Sequence, residues 1–332
     1  MTGYWRYAAG AALVALPFFG VATYHLHILI LILLWSFIYT GWSLMGRFGL
    51  VSLGHGAFMG IGAYATAMLW NFYGLTPWIG IPIGLFLTAL LAVIIGYPCF
   101  RFRIVGHYFA LVTLALSEVV RLTLVAMRDH TGGSLGLTPR RAEEGASLYA
   151  LQFADKETFY FIALAVWGLG LLIWYWVDRG MIRYAMDAIA EDEDAAAAVG
   201  IHVTRTKIMI TVISACMTAL GGALYAQYQM YISPDIVSGI GVSLQIVFAV
   251  VAGGIYVALG PTVGAAFTLL LAESLRVAIG TTVIGLDPTI YGIALILFII
   301  FLPKGILGTA IEAWQRRSEG SAIGPAKLKK GA

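Results

Sequence analysis

The amino-acid sequence predicts an all-α, polytopic transmembrane helical bundle of about 8–10 spans, in which glycine-rich helices are open to being broken or re-entrant. Three observations carry this. Hydrophobic residues make up 60% and charged residues 11% of the 332 residues, against roughly 25% charged in a soluble domain. The mean hydropathy is +0.88. Apolar runs approaching the roughly 20 residues that cross hydrocarbon recur near 8–23, 27–45, 50–70, 78–97, 106–127, 158–177, 207–227, 242–258, 261–280 and 285–302.

The first run follows a lone Arg6 and resembles a secretory leader, but no small-x-small cleavage site closes it convincingly. A retained helix is expected. Cys99 and Cys216 lie in or beside apolar spans and imply neither a disulfide framework nor a metal site. The net charge of +3 says less than where the bases fall. With both termini cytoplasmic, the bases at 6, 47, 101–103, 179–183, 205–207, 304 and 316–330 share one side, an asymmetry that supports this orientation.

In the third run, GWSLMGRFGLVSLGHGAFMGIG carries Ser52, Gly54, His55 and Gly56 among seven glycines. Small residues four apart let helices approach closely, while irregular backbone in a membrane is tolerated only against protein or a wet cavity. Close packing and a broken, path-lining segment both remain open. His55 reads as a packed or capping imidazole, with no second metal-type residue nearby in sequence.

Within the fifth and ninth runs, Glu118 with Arg121 and Glu273 with Arg276 stand three apart, so each pair shares a helix face. Internal neutralisation that holds helices together is one reading, and a polar solute path is the other. The segments ALSEVVRLTL and LLAESLRVAI also hint at an internal duplication. Between the fifth and sixth runs a loop over 128–157 opens with TGGSLGL, where Thr131 precedes Gly132, Gly133 and Gly136. These glycines permit tight turns, but no lysine follows at phosphate-loop spacing. A contact with a partner outside the membrane and an ordinary connector are both open.

The most polar interruption, DRGMIRYAMDAIAEDEDAAAAVGIHVTRTK over 178–207, must lie in water, since each charge at mid-membrane costs about 2.5 kcal/mol or more. Ile182, Ala185, Met186 and Ile189 form one apolar stripe of a short helix. A second short helix follows, with Glu191, Asp192, Glu193 and Asp194 near its first turn, Ala195 to Ala198 propagating it and Gly200 able to end it in the left-handed conformation. Two ordered helices in an aqueous loop suit either docking or a plain connector. In the second glycine tract, Leu259-Gly260-Pro261 suits a tight turn into a new helix. Residues 1–310 thus read as one membrane domain, and 311–332 as a basic cytosolic tail suited to an anionic lipid surface.

The sequence holds no GxxxxGK[ST], clustered metal set or nucleophile elbow, so enzyme chemistry has no support. Two function classes stand: a membrane subunit driven by a separate ATPase, and an ion-gradient-driven secondary transporter of small polar solutes with Glu118 or Glu273 as relay. GLVSLGHGAFMGIGAY (49–64), GHYFALVTLALSEVVRL (106–122), TGGSLGL (131–137), AIAEDEDAAAAVGI (188–201), GGALYA (221–226), the tract 253–264 and YGIALILFIIFLPKGILG (291–308) occur in this order. Together they resemble the permease subunit of branched-chain amino acid ABC importers, and more closely the longer of the two permeases that pair.

The resemblance implies an importer in a bacterial inner membrane. Its partners would be a second permease, two ATP-binding subunits carrying ATP and Mg, a periplasmic solute-binding protein and the bilayer. No cofactor or metal on this chain and no nucleic acid is implied. The solute would be a branched-chain or related small amino acid. The 178–207 loop would seat in the ATPase groove, with Met186, Ile189, Glu191 to Ala195, Ala198 and Gly200 as docking residues. Four consecutive alanines stand where the family pattern usually has an acid or a bulkier residue.

Overall fold

The computed structural model describes residues 17, 22–142, 147–153, 155–279, 290, 292–293, 296–297, 300–301 and 304–312. Among them the long or functionally placed helices are α1 (Thr23–Gly46), α2 (His55–Tyr73), α3 (Pro77–Arg101), α4 (His107–Ala126), α5 (Lys156–Arg179), α6 (Met181–Glu191), α7 (Glu193–Ala198), α8 (Val203–Gln229), α9 (Gly239–Gly253) and α10 (Gly260–Ile279). No strand ladder forms among the described residues; a single antiparallel bridge joins Leu137 to Ile232. This is the helical bundle the composition predicts, because hydrocarbon leaves backbone amides no partner but their own helix.

Among the described residues, six helical stretches are long and apolar enough to cross a membrane: Thr23–Gly46, Pro77–Arg101, His107–Ala126, Lys156–Arg179, Val203–Gln229 and Pro234–Gly253. Helix α2, of 19 residues, has the length and packs into the bundle, but its glycine and polar content lowers its apolarity; helix α10, of 20, packs against α9 and carries Glu273 and Arg276. The predicted run 8–23 lies almost wholly outside the described residues, as does much of 285–302.

Helices α1 and α8 form the centre. Apolar all round, α1 buries Ile30, Leu34, Phe37, Ile38, Trp42 and Leu44 on several faces, the pattern of a helix surrounded by other helices. Close backbone approach is what joins it to its neighbours. At the crossing of α2 with α8, a Cβ on Gly62 would run into the carbonyl of Ala219, and one on Gly222 into that of Met59. Each helix contributes a glycine to the other's contact, so packing replaces the hydrophobic drive that lipid cannot supply. Helix α3 uses the same device over its whole length: Gly80, Gly84, Thr88, Ala92 and Gly96, four apart, are its buried stripe. Gly62→Leu is therefore expected to lower the yield of monodisperse chain severely, as overpacking by several methylenes costs about 1–3 kcal/mol or more. Gly168→Leu, where a Cβ meets nothing within 4 Å, is the matched control, and equal melting of the two variants in detergent would refute the crossing.

Two tracts depart from the predicted runs. The helix expected from residue 50 starts at His55, and residues 47–54 are irregular and turn between α1 and α2. The run 242–258 stops at Gly253, where Gly254 has φ 117°, and Gly254 to Leu259 is non-helical before α10 opens at Gly260-Pro261. The turn into α10 lies where expected, but the break is longer. A Cβ on Gly264 would meet the Ala249 carbonyl, so the two helices need glycine to sit this close.

The bundle has two ends. One carries α6 and α7, where Arg103 reaches Asp194. From there α4 runs the length of the bundle to the TGGSLGL loop, so that loop and the α6–α7 hairpin lie at opposite ends.

Candidate functional site

At the hairpin end, the local sequence folds as its pattern predicts. Met186 and Ile189 are buried beneath α6, while Arg183 and Asp187 pair on its surface at 3.5 Å. The Asp192 Oδ1 atom accepts the Asp194 and Ala195 amides at 2.8 and 3.0 Å, capping α7. Gly200, at φ 93°, ends the helix. Its N–H donates to Ala197 and that of Ile201 to Ala196, the paired bonds of a Schellman motif. Ala196 faces inward. Glu191, Asp194, Ala195, Ala198 and Gly200 are exposed. So, strongly, are Met181, Tyr184 and Val199, which give the hairpin an apolar outer surface.

Three ion pairs tie the hairpin to the bundle. Asp178 accepts from Arg47 at 2.9 Å and from Arg183 at 3.1 Å, and the Arg47 guanidinium lies between the Phe48 and Trp174 rings at 4.7 and 4.6 Å. Lys207, only 2% exposed, donates to Glu193 and sits over the Phe100 ring. Arg103 meets Asp194 at 2.7 Å in the open. The Arg47–Asp178 and Lys207–Glu193 contacts are shielded from solvent and therefore from salt, whereas Arg183 is half exposed and Arg103–Asp194 is a surface pair of small consequence.

The amides of Ala195 and Asp194 hold the Asp192 carboxyl below its usual range. A carboxyl depressed in the folded state contributes stability that is present above its unfolded value, about 3.9, and lost as pH falls through the folded one. A spin label at Ala198→Cys should gain mobility below about pH 4. Asp192→Asn should lose that part of the acid response, and an identical acid profile in both would refute the cap.

In the interior, side chains accept amides within and just after the irregular segment. Thr113 accepts the Leu53 amide at 2.9 Å, Ser52 Oγ accepts the Gly54 amide at 3.1 Å, and Ser243 accepts the Gly56 amide at 3.0 Å. His55, fully buried, shares a 2.8 Å hydrogen bond with Ser214. A Cβ on Gly56 would stand 2.5 Å from the Gly239 carbonyl, so close packing and a broken segment coexist here.

The far end brings together residues that the sequence keeps apart. Arg121 holds Glu118 through Nε at 3.0 and 3.1 Å and Nη2 at 2.5 Å, and reaches Asp235 through Nη1 at 2.9 Å. Asp235 also lines a cleft of about 620 Å³ with Glu273, Arg276, Trp35, Tyr225, Gln229 and Gln245. Glu273 accepts from Tyr24 and lies 3.8 Å from Arg276. The two predicted intramembrane pairs thus flank one short helical turn, Pro234–Val237. That turn is held by the TGGSLGL loop. Gly132, Gly133 and Gly136 all have positive φ, Thr131 bonds back to the Leu124 carbonyl at 2.6 Å, and Leu137 exchanges two backbone hydrogen bonds with Ile232.

Asp235 and the burial of Lys207 escaped the sequence reading. Asp235 stands in a loop beside Pro234, and nothing local ties it to Arg121. Lys207 stands at the head of an apolar run, where a base is ordinarily a surface residue.

A helical bundle of this kind, with an ordered charged hairpin at one end and a mixed-charge polar cluster within membrane-spanning helices at the other, is a multi-pass membrane protein. The chain belongs to the branched-chain amino acid transport system / permease component family, whose model matches residues 24–303. It is 30% identical over 286 residues to the high-affinity branched-chain amino acid transport system permease protein LivM of Escherichia coli (strain K12), covering 79% of this chain and 65% of that protein. The Salmonella typhimurium protein of the same name is 29% identical with the same coverage. A fructose import permease protein, FrcC of Rhizobium meliloti, is 26% identical over 80% of this chain and 71% of its own length. The chain therefore spans about two thirds of the length of the branched-chain relatives. No solved structure matches it.

Proposed function

We propose that this chain is the membrane-spanning permease subunit of an ATP-driven importer for branched-chain or related small amino acids in a bacterial inner membrane. Its expected partners are a second permease, two ATP-binding subunits and a periplasmic solute-binding protein. The observation that carries the reading is the hairpin. It is capped at both ends of α7 and anchored by Lys207 and Arg47, yet it turns Tyr184, Ala195, Ala198 and Val199 outward. A surface so ordered and so apolar in an otherwise charged loop suits a groove on an ATPase subunit. Met186 and Ile189 serve that docking from beneath by fixing the angle of α6, and Glu191 and Asp194 stand at its rim.

The far-end cluster is the proposed solute contact. Arg121 suits an α-carboxylate, and two carboxylates against one guanidinium leave negative charge for an α-ammonium. The fructose permease relative warns that family membership alone does not name the solute. Reconstitution of the chain with its paired permease, ATPases and binding protein should give leucine uptake that needs ATP. Uptake that persists on an H⁺ or Na⁺ gradient without ATP would instead make this an ion-driven carrier.

A further inference from the structure

Beside the hairpin, a pocket of about 730 Å³ opens between the end of α3, helix α7 and the start of α8. Its lining includes Arg101, Arg103, Arg205 and His202 together with Glu193, Ala197 and Gly200. The charges do not cancel. Arg103 is taken by Asp194 and Glu193 by Lys207. Among the described residues, Arg101 and Arg205 have no carboxylate within ion-pair distance. Two guanidinium groups facing one cavity make a site for a doubly coordinated anion, since the guanidinium fork matches phosphate oxygens.

The approach to the pocket is apolar. Helix α3 buries its small-residue stripe and turns outward Phe86, Leu90, Ile94 and Tyr97, which follow one another at helical spacing and are all strongly exposed. Tyr97 is both the last of this ridge and a wall of the pocket. A ligand that satisfies both features carries a phosphate at one end and a hydrocarbon chain at the other. We propose that this pocket holds the headgroup phosphate of an anionic phospholipid, with an acyl chain laid along the α3 ridge. The bound headgroup bridges α3 and α8 to the hairpin and so braces the hairpin against the bundle. Binding needs neither ATP nor transported solute, so the inference stands or falls apart from the transport reading.

The test is native mass spectrometry of the full purified chain offered phosphatidylglycerol or phosphatidylcholine. At about fivefold per basic residue near a membrane surface, two arginines should give roughly 30-fold preference for phosphatidylglycerol. Arg101→Gln with Arg205→Gln should abolish the preference. Arg101→Lys with Arg205→Lys should keep most of it, which separates lost charge from a damaged fold. Arg140→Gln with Arg141→Gln, at the far end, should change nothing. Equal retention of the two lipids, or a preference surviving the double Gln change, would overturn the proposal. So would displacement of phosphatidylglycerol by sn-glycerol 3-phosphate at the lipid's own concentration, because the site would then serve a soluble phosphate.

Discussion

Lys207→Met should release the hairpin from the bundle and abolish its proposed hold on an ATPase subunit, while leaving membrane insertion intact. The Lys207 ammonium is enclosed between Glu193 and the Phe100 ring. Removing it strands a carboxylate that keeps only 24% of its side-chain surface in water. Breaking a buried pair from one side costs about 3–5 kcal/mol, and the partial exposure of Glu193 argues for the lower figure. Even about 3 kcal/mol raises the detached population more than 100-fold. Limited trypsin cleavage at Arg183 and Arg205 should accelerate accordingly. Lys207→Met with Glu193→Gln should restore most of the protection, because no lone charge then remains. Cleavage of Lys207→Met at the unmodified rate would remove this anchor from the account.

Arg121→Gln should lower uptake in the reconstituted importer by about 100-fold or more, an effect of roughly 2.7 kcal/mol on the transport step, with ATPase assembly unchanged. Arg121 is the shared cation of Glu118 and Asp235. Without it, two carboxylates face each other among membrane-spanning helices, and a solute carboxylate entering there meets only repulsion. Asp235→Asn should cost less, about tenfold, since Asp235 is 68% exposed and its pair is screened. Undiminished uptake by Arg121→Gln would make the cluster a helix clasp and move the solute path elsewhere.

The contrast between these two sites reflects what a linear reading can see. The α6 stripe, the Asp192 cap and the Gly200 stop are written in residues three to five apart, and the structure forms each of them. The small-residue ladder of α3 has an equally short, four-residue spacing, but it lies inside a continuous apolar run, where hydropathy does not separate a packed face from a lipid-facing one. The break over 47–54 could not be placed to the residue. Its Leu53 amide is met by Thr113, which lies in helix α4, and a partner from another helix makes a non-helical path tolerable there.

Membrane residence and the helical class follow from the sequence by itself, because the transfer of apolar runs and the exclusion of charge depend on composition over one short stretch. The order and caps of the hairpin follow for the same reason. Only the tertiary structure decided that Asp235 completes the Glu118–Arg121 pair, that Lys207 is enclosed by Glu193, and that Arg101 and Arg205 share a pocket with no carboxylate of the described residues within ion-pair distance of either. These are meetings between distant segments, and their geometry is set by which glycines let which helices touch, a property of the packed bundle that no single segment contains.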